Sequence, residues 1–292
     1  MLEFLRNWLP IDVSAHGPQL DRWTAIIHWL MLVLFVGWGI YFVIVLFRFR
    51  ASRHPRADYE GTKTHFSTYV EVGVALFEAF LLLGFAIPAW AKWVQAPDPA
   101  EHPIEVHVVG EQFAWNVHYP GPDGAFGRRD VQLVSTSNPL GIDPEDPASK
   151  DDVTTVNQLR LPVDRPVTVL LTSKDVIHSF GLPYFRVKQD AIPGMQVPVH
   201  FTPTMVTPEE SRFPKCAAEK NCWEIACAQL CGLGHFRMRG YVQILAQDEY
   251  DQWLSAEVAK KMPAPEPEPA AEPAAEEGAP VSGDAAAETA AS

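Results

Sequence analysis

The chain contains 292 residues and carries a formal net charge of −13 at pH 7. Seven of its acids lie between Glu266 and Glu288, where there is no Lys or Arg, so the remainder is only mildly acidic. This balance argues against nucleic acid as a partner and is compatible with a basic protein partner. Four cysteines suffice for a metal site and one disulfide, which would suit an oxidising compartment.

Two long apolar segments follow a mixed N-terminal segment, residues 1–23, which we expect outside the membrane. The first, Thr24–Phe47, contains no acid, Lys or Arg. As a helix rising about 1.5 Å per residue, it is long enough for the ~30 Å core of a bilayer. The second runs from about Tyr69 to Trp90. Residues 24–95 are therefore predicted to form a transmembrane helical hairpin, the alternative being two amphipathic helices of a soluble bundle.

Basic residues crowd the loop between the two apolar segments. By the positive-inside rule this loop is cytoplasmic, so both termini lie on the outer side. The basic residues are Arg48, Arg50, Arg53, Arg56 and Lys63.

Two acids lie within the second apolar segment. Glu71 and Glu78 are seven residues apart and so share one helix face. Acids inside a span are costly and often lie on a proton path. Glu71 fits either such a path or the cytoplasmic headgroup level, whereas the deeper Glu78 indicates a neighbouring membrane subunit.

From Ile104 the pattern changes to short β-rich runs separated by Pro and Gly. Such runs predict a β-sandwich or barrel over residues 104–247. The polar stretch Asn138–Asp152 is interpreted as a surface loop. A short helix is expected over residues 248–261, and the Pro/Ala/Glu-rich residues 262–292 are expected to be disordered. Strands are predicted around Val153–Leu161, Val167–Ser173, Gln196–Phe201 and Gly240–Leu245.

The motif CAQLCGLGHFRM, residues 227–238, carries the most specific chemistry. It places Cys227, Cys231, His235 and Met238 within twelve residues. These ligand types suit copper, whereas zinc gains nothing from a thioether. A mononuclear blue-copper site needs one Cys, two His and a weak Met. The second thiol therefore favours two coppers bridged by two thiolates, while a disulfide or a pair of buried thiols is the alternative.

A two-copper site needs one more histidine from elsewhere in the chain. The best candidate is His178 in SKDVIHSFGLP, because it ends a strand-like run and is followed by a loop containing Gly and Pro. A β-sandwich can close a metal site between one interior loop and the loop before its last strand. His107, His118 and His200 lie in strand-like runs without such a loop.

The hairpin, DVIHSF and CAQLCGLGHFRM together resemble subunit II of the haem–copper cytochrome c oxidases, from the first span to Gln247. The resemblance implies a cupredoxin-like Greek-key β-barrel that carries the binuclear copper centre CuA. In that family two cysteines bridge the coppers, two histidines bind one copper each, and a Met and a backbone carbonyl are weak ligands. The implied ligands here are His178, Cys227, Gln229 through its carbonyl, Cys231, His235 and Met238.

The resemblance also implies a function and its partners. CuA would accept electrons from cytochrome c and pass them to haem in subunit I, where oxygen is reduced to water with proton translocation. Glu71 matches a carboxylate at the mouth of a proton channel, and Asp175 matches an acid that docks a basic cytochrome c. Phe113 and Trp115 lie in GEQFAWNVHY, which matches the aromatic segment that receives electrons.

The chain departs from the family pattern at several positions. Most members have Glu at Gln229, where the side chain helps to hold magnesium at the contact with subunit I. The resemblance therefore does not carry the magnesium over. Phe113 replaces the Trp through which electrons arrive in many members, and Met195 replaces a common Arg. Cys216 and Cys222 lie outside the copper motif and predict a disulfide, with a second metal site or a free thiol as alternatives.

Three other functions compete with an oxidase subunit. A quinol oxidase subunit II would lack the copper ligands, all of which are present. The CuA subunit of a nitric oxide reductase is harder to distinguish. A membrane-tethered copper carrier is a third possibility, against which Glu71, Asp175 and the second span argue. The expected location is a bacterial inner membrane, with two spans and the C-terminal domain on the periplasmic side.

Overall fold

The computed structural model describes residues 8–56, 59–60, 64–219 and 222–261. The predicted disordered tail, residues 262–292, and the basic residue Lys63 lie outside this range.

Two apolar helical segments form the N-terminal part, as predicted. Helix α1 spans Gly17–Arg48 and is long and apolar enough to cross a membrane. It begins before the predicted Thr24, and Pro18 occupies its first turn, where the missing N–H costs nothing. The second segment consists of α2, Phe66–Leu81, a π-helical turn at Leu82–Ala86, and α3, Ile87–Trp93. Pro88 follows the π-helical turn and cannot donate a helical hydrogen bond, which explains the local widening.

Ten strands form two five-stranded sheets, which confirms the predicted β-rich outer domain. The first sheet has the order β3-β2-β1-β5-β8 and the second β4-β10-β9-β6-β7. The β1–β5 and β10–β4 pairs are parallel, and the other pairs are antiparallel. The strands are β1 Ile104–Glu111, β2 Ala114–Tyr119, β3 Val153–Val156, β4 Gln158–Pro162, β5 Val167–Ser173, β6 His178–Leu182, β7 Val187–Ala191, β8 Val197–Phe201, β9 Glu224–Cys227 and β10 Arg239–Leu245.

One apolar core lies between the two sheets. Val106 and Val108 of β1 are fully buried and belong to the same cluster as Leu159 of β4 and Ile244 of β10. The alternating burial of β5 is typical of a strand with one face on the core. Two further helices flank this region, α4 at Lys215–Glu219 and α5 at Gln247–Lys261, the second matching the predicted terminal helix.

The single run predicted at Val153–Leu161 is two strands that belong to different sheets. The break is Asn157, whose φ of 57° lies in the left-handed region that Asn tolerates. Its side-chain oxygen accepts a hydrogen bond from the Trp115 N–H at 2.8 Å, and its own N–H donates to the Trp115 carbonyl at 2.7 Å. The chain therefore leaves the first sheet and enters the second at this residue. The hydrophobic pattern of the sequence alone does not predict such a turn.

The stretch Asn138–Asp152 is not simply a surface loop, and the prediction was wrong at its C-terminal end. Asp152 is fully buried, and its Oδ2 lies 2.7 Å from Nε2 of the equally buried His118. The same oxygen accepts the Gly127 N–H at 3.0 Å. The loop thus returns to cover the outer face of β1 and β2. A buried carboxylate with a specific partner explains why a polar sequence packs here.

His107 lies beside this buried pair. Its ring stacks on Phe126, with the ring centroids 3.8 Å apart, and lies edge-on to His118. Burial, and then the nearby Arg129, lower the pKa of His107 to about 3. The imidazole is therefore neutral at ordinary pH and acts as a flat packing surface.

The segment before α1 fastens the first span to the β-sandwich. Val13 is buried in the sandwich core, donates its N–H to the Tyr184 carbonyl at 2.9 Å and accepts the Thr204 N–H at 2.9 Å. Asp21 of α1 accepts two hydrogen bonds from Arg186, at 2.8 and 3.1 Å. The outer domain and the membrane segment are therefore joined by more than the connecting chain.

Candidate metal centre

The paired strands β6 and β9 bring the two halves of the candidate metal site together. His178 is the first residue of β6. Cys227 is the last residue of β9 and pairs with Phe180 of β6. The loop then runs to Met238, directly before β10. Residues 49 positions apart in the chain thus meet at one end of the second sheet.

The structure brings together all six ligands that the resemblance implies. The sulfurs of Cys227 and Cys231 are 3.7 Å apart. His178 Nδ1 lies 4.0 Å from Cys227 Sγ, and His235 Nδ1 lies 3.6 Å from Cys231 Sγ. Met238 Sδ is 3.7 Å from Cys231 Sγ, and the Gln229 carbonyl is 3.2 Å from Cys227 Sγ. Two thiols are therefore flanked by one imidazole each, with a thioether and a carbonyl beside them.

This donor set fits copper. Thiol, thioether and imidazole groups are the ligands that copper prefers, and His178, Cys227 and Cys231 have ligand atoms close enough to share an ion. Burial, reinforced by the neighbouring Cys227, raises the pKa of the Cys231 thiol to about 11. Because a metal binds the thiolate, ion binding here must displace a proton. The site's burial favours a bound cation over two free thiolates.

Asp175 orients His178. Its Oδ1 accepts a hydrogen bond from His178 Nε2 at 2.9 Å, which leaves Nδ1 facing the sulfurs. Burial raises the pKa of Asp175, but the hydrogen bonds from His178, Gln112 and Val176 outweigh it and lower the pKa overall. The carboxylate is ionised at neutral pH. Sequence reasoning related Asp175 only to donor docking and missed this contact, although the Asp-x-x-His spacing could have suggested it.

Gln112 is a second supporting residue that the sequence analysis missed. Its backbone N–H donates to Asp175 Oδ2 at 2.8 Å, and its side-chain Nε2 donates to the Cys231 carbonyl at 2.6 Å. It therefore links the β1–β2 turn, the Asp175–His178 pair and the cysteine loop. No local pattern reveals this role, because Gln112 and Cys231 are 119 positions apart.

Phe113 and Trp115 lie on the same side of the site but differ in exposure. Phe113 is partly buried and lies so close to Gly234 that a Cβ there would sit 2.4 Å from the Phe113 ring. Trp115 is fully buried, and its ring lies edge-on to that of His178, with centroids 6.0 Å apart. Of the two aromatic residues, only Phe113 reaches the surface.

The remaining candidate residues lie away from this centre. Glu71 and Glu78 line one groove between α1 and α2, together with Trp38, Tyr41 and Ser67. Cys216 and Cys222 form a disulfide, with their Cα atoms 4.8 Å apart. That pairing removes the alternatives of a second metal site or a free thiol at these two residues.

Gly232→Ala should weaken metal retention at this site. Gly232 has φ of 127°, and a Cβ there would lie 2.6 Å from Gln112 Nε2, the group that holds the Cys231 carbonyl. Loss of such a supporting contact typically costs about 10–100-fold in metal affinity. Competition between the copper-loaded protein and a chelator measures this change.

Gly124→Ala is the matched control for that variant. Gly124 also has a positive φ, 72°, but nothing lies within 4 Å of a Cβ placed there. The substitution places a side chain at a positive φ away from the site and should leave copper affinity within about 2-fold, well below the loss expected for a supporting contact. Equal losses in both variants would show that general strain, not the Gln112 contact, governs metal retention.

Comparisons with known proteins show the family to which the chain belongs. Residues 104–245 match the family model described as cytochrome c oxidase subunit II, periplasmic domain. The chain is 31% identical over 251 residues to an alternative cytochrome c oxidase subunit 2 of Bradyrhizobium diazoefficiens, covering 86% of this chain and 83% of that protein. It is 25% identical over 257 residues to a cytochrome c oxidase subunit 2 of Cereibacter sphaeroides, covering 82% and 79% of the two chains.

A solved structure is also similar to part of the chain. It is the periplasmic domain of subunit II of a cytochrome oxidase from Bradyrhizobium japonicum, with 24% identity and a TM-score of 0.38. The match covers 58% of this chain and 99% of that one.

Proposed function

The chain belongs to the cytochrome c oxidase subunit II family, and we propose that it is the electron-accepting subunit of a terminal haem–copper oxidase. In this proposal the chain would hold two copper ions, as CuA. The site would serve to pass electrons from cytochrome c to haem in subunit I, where oxygen would be reduced to water with proton translocation. The observation that carries the proposal is the convergence of two thiols, two imidazole nitrogens, a thioether and a carbonyl on one loop pair.

The proposed ligands divide into strong and weak ones. Cys227 and Cys231 would be shared between two metal ions, because their sulfurs lie side by side and each faces a different imidazole. When bound, the copper pair supplies one-electron transfer with little rearrangement of its ligands. His178 and His235 would each bind one ion, and Met238 and the Gln229 carbonyl would be weak ligands. The Gln229 amide lacks the charge of a carboxylate, so we expect magnesium to bind poorly here.

The surrounding residues hold the ligands in place. Asp175 fixes the ring of His178, and Gln112 fixes the backbone at Cys231. Phe113 packs against the ligand loop at Gly232 and Gly234, and the Trp115 ring lies edge-on to that of His178. Ligands restrained in this way change geometry little when charge is added, which favours rapid electron transfer.

We propose that the two apolar helical segments anchor the chain in a bacterial inner membrane. Residues 24–95 would form the membrane hairpin and residues 104–247 the periplasmic copper domain, with residues 248–261 as a terminal helix. Glu71 would lie at the mouth of a proton path in the complex, since it lines the inter-helix groove with Glu78. Both acids would face subunit I, because a carboxylate is costly against lipid.

The test is oxygen uptake by the purified complex supplied with reduced cytochrome c, together with its electron paramagnetic resonance spectrum. We expect rapid oxygen uptake and a seven-line mixed-valence copper signal. A four-line signal from a single copper would contradict the two-copper site. Reduction of nitric oxide without oxygen uptake would indicate a nitric oxide reductase subunit, and copper transfer without electron transfer would indicate a carrier.

A further inference from the structure

A groove lies between the outer ends of the two helical segments and the β-sandwich. His16, directly before α1, and Trp93, the last residue of α3, line it on the side of the helices. Pro166, directly before β5, and Phe201, the last residue of β8, line it on the side of the sandwich. Its volume is about 340 Å³, which falls within the range of small-molecule sites, roughly 300–1,000 Å³. We name it the outer groove.

Aromatic rings place the outer groove at the level of the lipid headgroups. The centroid of the Trp93 ring lies 5.5 Å from that of Trp23 in α1, and the Trp23 ring lies 5.3 Å from that of Phe85. The His16 ring lies edge-on to Trp93, with centroids 6.3 Å apart. Tryptophan side chains at the ends of membrane-spanning helices concentrate at the boundary between hydrocarbon and water. The groove therefore opens at the depth of the phosphate groups of the outer leaflet.

Two charged side chains of opposite sign line the outer groove. Lys92 is in the last turn of α3, and Glu101 is the last residue of the 3₁₀ turn Pro99–Glu101, which precedes β1. The Lys92 ammonium donates a hydrogen bond to the Gln19 side-chain oxygen at 3.3 Å. Neither Lys92 nor Glu101 forms an ion pair with another residue that the structure describes. Both charges are therefore available to a ligand.

The two histidines that line the outer groove add no charge to it. Burial lowers the pKa of His16 more than the nearby Asp12 raises it, and burial lowers the pKa of His200. Both imidazoles are therefore neutral at pH 7, and each can donate or accept a hydrogen bond. The described lining is thus neutral overall, with a positive group on one side and a negative group on the other.

The order of these two charges matches a zwitterionic phospholipid. In such a lipid the phosphate lies next to the glycerol and the acyl chains, and the ammonium lies further out. Lys92 belongs to the helical segment that is long and apolar enough to cross a membrane, and lysine side chains near helix ends extend to the headgroups. Glu101 lies on the side of the sandwich, directly before β1. An anionic headgroup would pair with Lys92 but would be repelled by Glu101.

We propose that the outer groove binds the headgroup of a phospholipid that carries a phosphate and a primary ammonium group, as phosphatidylethanolamine does. Lys92 pairs with the phosphate, and Glu101 accepts hydrogen bonds from the ammonium. A primary ammonium can also donate to a neutral imidazole such as that of His200, which a trimethylammonium group cannot do. The bound lipid links the outer end of the membrane segment to the sandwich. The site is separate from the copper ligands and does not depend on the proposed function.

The experiment titrates short-chain lipids into the purified, delipidated complex in detergent and counts the bound lipids by native mass spectrometry. The probes are dihexanoyl phosphatidylethanolamine, phosphatidylcholine and phosphatidylglycerol. We expect the wild type to bind the first about 10-fold more tightly than the other two, as one hydrogen bond between charged groups would allow. Glycerophosphoethanolamine, the same headgroup without acyl chains, should bind at least ~10-fold more weakly, because it buries no hydrocarbon.

Two variants remove the two charges separately. Lys92→Gln should weaken the binding of phosphatidylethanolamine about 10-fold. Glu101→Gln should abolish the preference for phosphatidylethanolamine, so that phosphatidylglycerol binds at least as tightly. The matched controls are Lys150→Gln and Glu210→Gln, which remove the same charges from exposed side chains elsewhere. They should leave every affinity within about 2-fold, because exposed surface charges contribute little.

Several results would overturn the proposal. Equal affinity of the wild type for the three lipids, or unchanged selectivity in Glu101→Gln, would show that the two charges do not recognise the headgroup. Equally tight binding of glycerophosphoethanolamine would assign the groove to a soluble phosphate ester. Failure of Lys92→Gln to assemble with subunit I would assign it to a contact between subunits. Absence of the seven-line copper signal from the wild type would contradict the proposed function and leave the lipid site standing.

Discussion

Cys227→Ser is expected to abolish the two-copper centre and, with it, electron transfer. The Cys227 sulfur lies within 4.0 Å of His178 Nδ1, the Cys231 sulfur and the Gln229 carbonyl, so the substitution removes one of the two proposed bridging ligands. Loss of a mere supporting contact lowers activity or affinity about 10–100-fold, and loss of a bridging ligand should exceed that. We expect oxygen uptake with reduced cytochrome c to fall more than ~100-fold. The seven-line signal should disappear.

Cys216→Ser is the matched control, since it also removes a cysteine sulfur but from the disulfide with Cys222. Closing a short loop, that disulfide should contribute roughly 2–3 kcal/mol to stability. The copper signal of the folded protein should be unchanged. Should Cys227→Ser retain a seven-line signal, the ligand set proposed here would be incorrect. Loss of the signal in both variants would indicate a general folding defect.

Asp152→Ala is expected to lower the free energy of unfolding by about 3–5 kcal/mol. The substitution removes the acceptor shared by the His118 ring and the Gly127 N–H, both of which are buried. Two buried donors would then lack a partner, which is costly because water cannot reach them. Denaturant unfolding of the metal-free chain in detergent, followed by tryptophan fluorescence, measures the loss.

Asp151→Ala is the neighbouring control. Asp151 is only partly buried, and its side chain accepts a single long hydrogen bond, 3.3 Å, from the Asp123 N–H. Its loss should cost less than about 1 kcal/mol. A double variant, Asp152→Ala with His118→Phe, should lose less than the two single variants added together, because it leaves no unpaired imidazole. Equal effects of Asp151→Ala and Asp152→Ala would refute the importance of the buried pair.

The strand predictions were correct where buried and exposed residues alternate along the strand. They were wrong where a polar residue turns the backbone or occupies the centre of a strand. The predicted strand at Val167–Ser173 is found with those bounds, because alternate side chains face the core. The run at Val153–Leu161 is divided at Asn157, since a side-chain contact to Trp115 holds a left-handed turn there. Strand β7 was not predicted, because Val187–Ala191 has polar residues at its centre.

The family, the two apolar spans and the spacing of the ligand loop can be read from the amino-acid sequence without a structure. Hydropathy and the distances between Cys227, Cys231, His235 and Met238 are properties of adjacent residues, so the chain contains them before it folds. It also contained His178 as the best candidate for the second imidazole, because that residue ends a strand-like run and is followed by a loop.

The distant groups that support the site become apparent once the sheets are packed. Pairing of β6 with β9 carries His178 to Cys227, and the β1–β2 turn carries Gln112 to Cys231. The same packing turns Asp175 towards His178 and buries Asp152 against His118. Such contacts depend on strand register and sheet packing. Residues far apart in the chain are brought together in this way, and the local sequence around each of them does not predict the contact.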